Sequence, residues 1–370
     1  MSAGAGPITQ DTCTDPPSVS VFAPWESSLE NLAFTNGSLY VSDAGTGRLL
    51  RFLPDASNEI VAEAAAIHGV AVNATGSIHF TARPDATRGW EVWRLLKDGA
   101  EVVTPQSIGW NGMAFDAAGN LYLSDEAFGL YRILARDPGN SSLWAEAEGA
   151  NGIVVDDANG VLYTAITDDQ RSTILRIALD DPTEQQDAAH LSFGAVRVGV
   201  FQTPPPVSLR PPSDPTLPLI PKGLDDLTFG PDGMIYAAAH LSGEILRIDS
   251  ATGEACVLVS GLKQPSSVRF ATGFGEWDGD LFVTTFGGVG VTAFVPGTPI
   301  EPALLVIDTN LVADTSGLTD DALVPVIPSA PREAPGLGVW LSVLVMGALV
   351  LSGRFPKRST DRSVRKEMNP

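Results

Sequence analysis

The sequence predicts an all-β fold, a six-bladed β-propeller with a C-terminal transmembrane helix, on three observations. Six stretches open on a polar residue, run apolar, turn at a glycine and resume as a second strand. They start at Glu30 (ENLAFTNGSLYVSD), His68 (HGVAVNATGSIHFTA), Asn111 (NGMAFDAAGNLYLSD), Asn151 (NGIVVDDANGVLYTA), Asp225 (DDLTFGPDGMIYAAA) and Ser266 (SSVRF, then GDLFVTTF). Their starts lie 38, 43, 40, 74 and 41 residues apart, and a repeat of about 40 residues holding several short strands has the period of a propeller blade. Finally, the 20 residues from Ala334 to Gly353 carry no charge, which is long enough as a helix to cross a bilayer core of about 30 Å.

Taken in order, residues 1–17 form an N-terminal extension. The run SVSVF from Ser18 is expected as the outer strand of the sixth blade, closing the ring by pairing chain start with chain end. In the first blade, short apolar runs bounded by Gly, Asp, Asn and Pro place strands at Leu32–Phe34, Leu39–Val41, Arg48–Phe52 and Glu59–Ala62. The third strand recurs as RLLRF, EVWRL, GLYRI, TILRI and EILRI; its Arg belongs on a solvated or paired blade face. Asn36-Gly37, Gly119-Asn120, Asn159-Gly160, Asp232-Gly233 and Asp278-Gly279 sit between first and second strands, where tight hairpins need positive φ. The propeller is assigned to residues 18–300. Within it, a proline-rich insertion at about 182–222 contains TPPPVSLRPPSDPTLPLIPKG, preceded by the expected strand AVRVGVF from Ala195. Its prolines forbid ladder pairing over most of its length, leaving a surface loop or a lid. A linker (301–333), the transmembrane helix (334–353) and a basic tail (354–370) follow.

Charge constrains location and partners. The net charge is −21; six basic and two acidic residues follow Gly353, leaving about −25 on residues 1–353. Such a field repels nucleic acid and favours cations and neutral substrates. The basic tail places the C-terminus in the cytoplasm and the propeller on the other side, periplasmic or at the cell surface. The stretch MSAGAGPITQDT has neither a basic n-region nor an apolar h-region, so this topology needs a signal that the given start lacks; a genuine start would leave the propeller cytoplasmic. Cys13 and Cys256 allow at most one disulfide.

In a propeller the innermost strands line the channel, so equivalent opening residues meet around one axis. Here they are Glu30-Asn31, His68, Asn111, Asn151, Asp225-Asp226 and Ser266. Carboxylates and side-chain amides without a thiolate make a hard oxygen set, suited to Ca²⁺ more than to zinc or copper, with another divalent cation as the alternative.

The openings ENLAF, HGVAV, NGMAF, NGIVV and LDDLTF, in that order, resemble the calcium-dependent propeller hydrolases that include paraoxonases and the senescence marker protein/gluconolactonase group. The resemblance covers roughly residues 20–300. It implies that Glu30, Asn111, Asn151 and Asp225 hold the catalytic metal, with Asp226 at an additional ligand position seen in paraoxonases. It also implies catalytic roles for His68, in HGV, and His240, ending YAAAH. Two departures stand out. Gly109 occupies the place of an arginine that gluconolactonases put before the Asn111 position, and no histidine partner for His68 is present in ARPDATRG from Ala82.

A metal so held would polarise a lactone or ester carbonyl. Asp225 would activate water or attack directly, with His68, at an ordinary pKa of about 6.5, as the alternative base. No G-x-S-x-G elbow, H-E-x-x-H pair or phosphate-cradling glycine loop is present. The reading is therefore a membrane-anchored, metal-dependent hydrolase of lactones or related esters. The alternative is a non-catalytic NHL-like propeller that binds a protein or glycan partner. A quinoprotein sugar dehydrogenase would need basic residues in the channel, and the ring of opening residues has none.

Overall fold

A computed structural model describes residues 13, 17–107, 110–167, 172–190, 194–197, 219–220, 223–287 and 302–309; backbone alone is described at 106–107, 190, 194–197 and 219–220. Strand β1 (Ser18–Pro24) precedes blade one, β2 (Leu29–Thr35), β3 (Ser38–Asp43), β4 (Arg48–Phe52) and β5 (Asn58–Glu63). Blade two is β6 (Ala66–Val72), β7 (Ile78–Arg83), β8 (Trp90–Leu96) and β9 (Gly99–Ser107). Blade three is β10 (Met113–Phe115), β11 (Leu121–Asp125), β12 (Gly129–Leu134) and β13 (Asp137–Ala145). Blade four is β14 (Ala150–Asp156), β15 (Val161–Ile166), β16 (Thr173–Ala178) and β17 (Gln185–His190). After a ribbon of β18 (Gly194–Arg197) and β19 (Leu219–Ile220), blade five is β20 (Leu224–Phe229), β21 (Ile235–Ala239), β22 (Glu244–Ile248) and β23 (Ala255–Ser260). Blade six is β24 (Pro265–Phe270), β25 (Leu281–Thr285) and β26 (Ala303–Asp308), completed by β1. Every blade is a four-stranded antiparallel meander, so the fold is an all-β, six-bladed propeller.

Alternating apolar residues on each strand fill the wedges between blades. Tyr163, Ala165 and Ile174 of blade four pack with Leu224, Leu227, Ala237 and Leu246 of blade five. Each fully buried Leu, Ile or Phe contributes about 1.5–3 kcal/mol. The seam between blades six and one is aromatic: Phe22, Phe34, Phe52, Phe274, Phe282, Trp25 and Trp277 gather there, with Phe22 edge-on to Phe282 at 5.2 Å and to Trp277 at 5.5 Å. Edge-to-face aromatic pairs add to area burial where the chain ends must be held together. The hairpin prediction holds at Asn36-Gly37, whose φ values are 50° and 69°. The third-strand arginines are surface groups as expected: Arg51 pairs with Glu59, Arg94 with Glu101 and Arg247 with Asp232.

Ring closure follows the expected plan, with β1 pairing antiparallel to β26 from Ser18↔Asp308 to Pro24↔Ala303. The boundary at 300 needs correcting. ALLVID at Ala303–Asp308, assigned to the linker, is the third strand of blade six and lies between β25 and β1; four buried residues in a row, Leu304–Ile307, mark it as core. The insertion also begins later than 182, because Gln185–His190 pairs with β16 as the outer strand of blade four. The expected strand from Ala195 pairs instead with Leu219–Ile220. Cys13 and Cys256 are bonded, with Cα atoms 5.0 Å apart and 243 residues of separation. The Cys13 N–H donates to Val257 O at 2.9 Å, so the N-terminal segment is tied to the outer strand of blade five. Closing so long a loop stabilises by about 5–6 kcal/mol on the chain-entropy account. The transmembrane helix expected at 334–353 and the basic tail lie outside the described residues; among those described, no helix is long and apolar enough to cross a membrane.

Candidate functional site

The channel residues are placed by one local device repeated around the ring. Inner strands break register between Leu29 and Leu32, Ile67 and Val70, Ala150 and Ile153, and Leu224 and Leu227. The extra residues are those of the opening motifs: Glu30-Asn31, His68-Gly69, Asn151-Gly152 and Asp225-Asp226. A bulge re-aims the side chain it carries. The first three of these bulges, and the Asn111-Gly112 opening, are pegged by a hydroxyl from the second strand; the Asp225-Asp226 bulge is held instead by Ser267 of the next blade. Ser42 Oγ accepts from Asn31 N at 2.9 Å, Thr81 Oγ1 from Gly69 N at 2.8 Å and Ser124 Oγ from Gly112 N at 2.7 Å, while Thr164 donates to Gly152 O at 2.9 Å. The glycines of the HG and NG motifs let neighbouring inner strands touch. A Cβ at Gly69 would lie 2.3 Å from Asn111 O, one at Gly112 2.3 Å from Asn151 O, and one at Gly152 2.4 Å from Asp226 Cα.

Glu30, His68, Asn111, Asn151 and Asp225 are 4–7% exposed. Burial pushes the Glu30 carboxyl well above the usual carboxylate range, and the charges of Asp225, Glu126 and Asp226 push it further. Asp225 is also raised by burial; against this, His240 stabilises its ionised form, with Nδ1 3.1 Å from Asp225 Oδ2, and Asn151 adds an amide hydrogen bond. That His–Asp contact is an ion-pair approach rather than an aligned hydrogen bond, since Nδ1 has no partner of good geometry. Asn111 Nδ2 and Asn151 Nδ2 both donate to Glu126 Oε1 at 3.4 Å. Glu126 as a whole is exposed, yet desolvation of its carboxyl, and next the charge of Asp225, lift it to about 7. Asn111 Oδ1 is buried without a partner.

Glu126 is absent from the sequence-based site, although a signal exists. Aligning second strands by their pairing gives LYVSDA, IHFTAR, LYLSDE, LYTAIT, IYAAAH and LFVTTF. The final letters, Ala44, Arg83, Glu126, Thr167, His240 and Phe286, share one repeat position. His240 was singled out there; Glu126 and Arg83 are its counterparts in other blades.

The two adjacent aspartates part company. Asp226 accepts from Ser267 Oγ, from Arg269 Nη1 at 2.7 Å and from Leu227 N at 2.8 Å. Both its oxygens are therefore engaged, and an additional metal ligand at Asp226 would have to share them with Arg269. Ser266 likewise spends its hydroxyl on backbone, donating to Leu29 O at 2.8 Å.

His68 stands in different surroundings. Its ring is edge-on to Trp90 at 5.1 Å and Trp110 at 4.9 Å, and those indoles stack at 5.1 Å and 9°. Burial, helped by the Arg83 charge, lowers its pKa to about 4. The ordinary histidine expected as an alternative base is thus a weak one. His79 is a structural residue against Phe115, and the His190 side chain lies outside the described residues.

The donor set fits a hard cation. It is all oxygen, one amide oxygen is orphaned, and several buried carboxylates repel one another. Among the described residues no three His, Cys, Asp or Glu side chains converge to hold an ion by themselves, so a site here depends on the amides of Asn111 and Asn151. Surface cavities of about 440 Å³ beside Asp156, Asn159 and Phe229, and about 330 Å³ beside Arg88, Glu91 and Pro105, contain none of the ring residues.

No family model matches the chain, and no curated protein does. Solved structures do. A gluconolactonase from Xanthomonas campestris superposes with TM-score 0.55 at 16% identity, covering 82% of this chain and 98% of that one. A luciferin-regenerating enzyme gives 0.54 at 14%, covering 79% and 95%. The PQQ-bound aldose sugar dehydrogenase from Streptomyces coelicolor gives 0.52 at 15%, covering 79% and 100%. These likenesses establish the propeller fold. Because they join a lactonase with a dehydrogenase, the fold does not select the chemistry.

Proposed function

We propose that this chain is a membrane-anchored hydrolase of lactones or related esters that works at a divalent cation, Ca²⁺ by its donors, in the propeller channel. One observation carries the reading. Glu30 and Asp225 are buried, and Glu126 stands beside them with its carboxyl desolvated. The charges of Asp225, Glu126 and Asp226 raise Glu30, that of Asp225 raises Glu126, and His240 lies against Asp225. Burying like charges is costly unless a cation offsets them. Glu30, Asn111, Asn151 and Asp225 would hold it, each supplying an oxygen, with the orphaned Asn111 Oδ1 gaining a partner. Bound there, such an ion supplies Lewis-acid polarisation of the scissile carbonyl and stabilises the developing oxyanion.

The remaining roles fall to side chains. Asp225 orients His240 through Nδ1, leaving Nε2 to take a proton from the attacking water. Glu126, at about 7, still carries a proton in much of the neutral population and can deliver it to the leaving alkoxide. Asp226, clamped by Arg269, fixes the bulge that aims Asp225. His68 stays neutral and bounds the substrate space. The uncharged 334–353 segment with its basic flank supports the anchor, and the Cys13–Cys256 bond supports an extracytoplasmic propeller, since disulfides persist in oxidising compartments.

The test is turnover of aliphatic, aromatic and sugar lactones and aryl esters, in calcium and in chelator. Wild type should lose activity in chelator and regain it with calcium, and Asp225→Asn should lose about 10²-fold or more while remaining folded. A folded, calcium-loaded protein that hydrolyses nothing in the panel would move the reading to a propeller that binds a protein or glycan partner.

A further inference from the structure

Arg83 shares the repeat position of Glu126 and His240, and its surroundings are unlike theirs. Its guanidinium carbon lies 5.6 Å over the Trp90 ring, and Trp90 in turn stacks on Trp110. Among the described residues no carboxylate pairs with it, and its buried Nε has no hydrogen-bond partner. The nearest acid in sequence to Trp90 is Glu91, which is already occupied by Arg88 and by the Trp93 indole N–H. His68, 6% exposed, closes the group edge-on to both indoles, and its Nδ1 is also buried without a partner. In a protein of net charge −21, a guanidinium lying over an indole beside an acidic channel, with no carboxylate partner among the described residues, is a local reversal of the field.

We propose that Arg83, Trp90, Trp110 and His68 form a subsite for a carboxylate attached to a flat aromatic or unsaturated body. A guanidinium is planar and keeps its N–H donors in one plane, the geometry that matches a carboxylate fork. The stacked indoles offer an apolar wall for a planar group next to that anion, and the unpartnered His68 Nδ1 supplies a further polar contact for an ester or acid oxygen. The inference deepens the proposed hydrolase by naming a substrate class, aromatic acids bearing a hydrolysable ester or lactone; the binding itself requires no turnover.

The experiment measures binding of benzoate, cyclohexanecarboxylate and benzyl alcohol to the full-length protein by calorimetry, in chelator, so that hydrolysis plays no part. Benzoate should bind more tightly than either control. Arg83→Gln should weaken benzoate at least about tenfold and leave benzyl alcohol unchanged, Arg83→Lys should recover only part of the loss, and Trp90→Leu should weaken both aromatic probes. Equal benzoate affinity in wild type and Arg83→Gln, or no preference for benzoate over its controls in a folded protein, would overturn the subsite. If an uncharged lactone is turned over normally by Arg83→Gln while benzoate binding is unaffected by the substitution, the subsite fails and the hydrolase stands. If benzoate binds as described and no lactone is hydrolysed, the subsite stands and the hydrolase fails.

Discussion

Two arcs of one channel mouth use the same bulged strand openings to opposite ends. Across blades one, three, four and five, the strand openings and second-strand ends present Glu30, Asn111, Glu126, Asn151, Asp225 and His240, where desolvation and neighbouring carboxylates raise the carboxyls. In blade two the equivalent positions present His68 and Arg83 against two tryptophans, where burial and a positive neighbour depress the imidazole to about 4. The bulge is shared by blades one, two, four and five, so side-chain identity there sets the sign of the field: one arc is acidic, the other carries a guanidinium. Asp225 and Asp226 repeat the lesson at one-residue spacing, since the second has its cation in Arg269 and the first does not.

The comparison breaks first at that clamp. Arg269→Met strips the buried Asp226 of its partner and should cost about 3–5 kcal/mol in denaturant unfolding, the largest loss expected from one surface-distant charge; a change below about 1 kcal/mol would mean that Asp226 is not committed to Arg269 and is free for a metal.

The arcs should also titrate in opposite directions. His68 folds neutral with its pKa lowered, so its contribution is complete above about 6.5 and is lost as pH falls towards 4. From this group alone stability should drop by about 2 kcal/mol between pH 7 and 5 and about 3 by pH 4, a slope missing in His68→Gln. The raised carboxyls run the other way: Glu126 contributes fully below its usual range and loses that contribution as pH rises through about 7. Parallel pH profiles for wild type and His68→Gln would remove the contrast.

A smaller effect separates mere repulsion from a cation site. Asp280 is raised to about 6, by burial first and then by Asp308, yet it lies outside the ring. Its contribution is complete below its usual pKa and disappears as pH rises through about 6, so Asp280→Asn should stabilise at pH 7. The group is half-exposed, and screening keeps the gain below about 1 kcal/mol. Calcium should leave that gain unchanged; a calcium-dependent gain would show that acidity, rather than the ring geometry, governs cation binding.

Much of this was legible in the residues. The 40-residue rhythm, the HG and NG openings and the closing strand at Ser18 are local patterns, and local patterns survive into structure when they encode a bulge or a tight turn. Glu126 and Arg83 were hidden because their shared position appears only after second strands are aligned by pairing, and blade four is shifted by one residue, with Leu162 rather than Val161 opposite the inner strand's Val155. The engagement of Asp226 was hidden because Arg269 is 43 residues away on the next blade. The strand at 303–308 was missed because its partners, β25 and β1, lie on one side close in sequence and on the other at the far end of the chain.

The central claim is that the acidic arc is a cation site built on Asp225, and calcium titration of the chelator-stripped full-length protein by calorimetry tests it most directly. Wild type and Asp280→Asn should each bind a single equivalent, and Asp225→Asn should bind at least about 100-fold more weakly, since removing a carboxylate lowers ligand charge in a hard oxygen site. A folded wild type that binds no calcium, or an Asp225→Asn protein that binds it as tightly as wild type, would contradict the account.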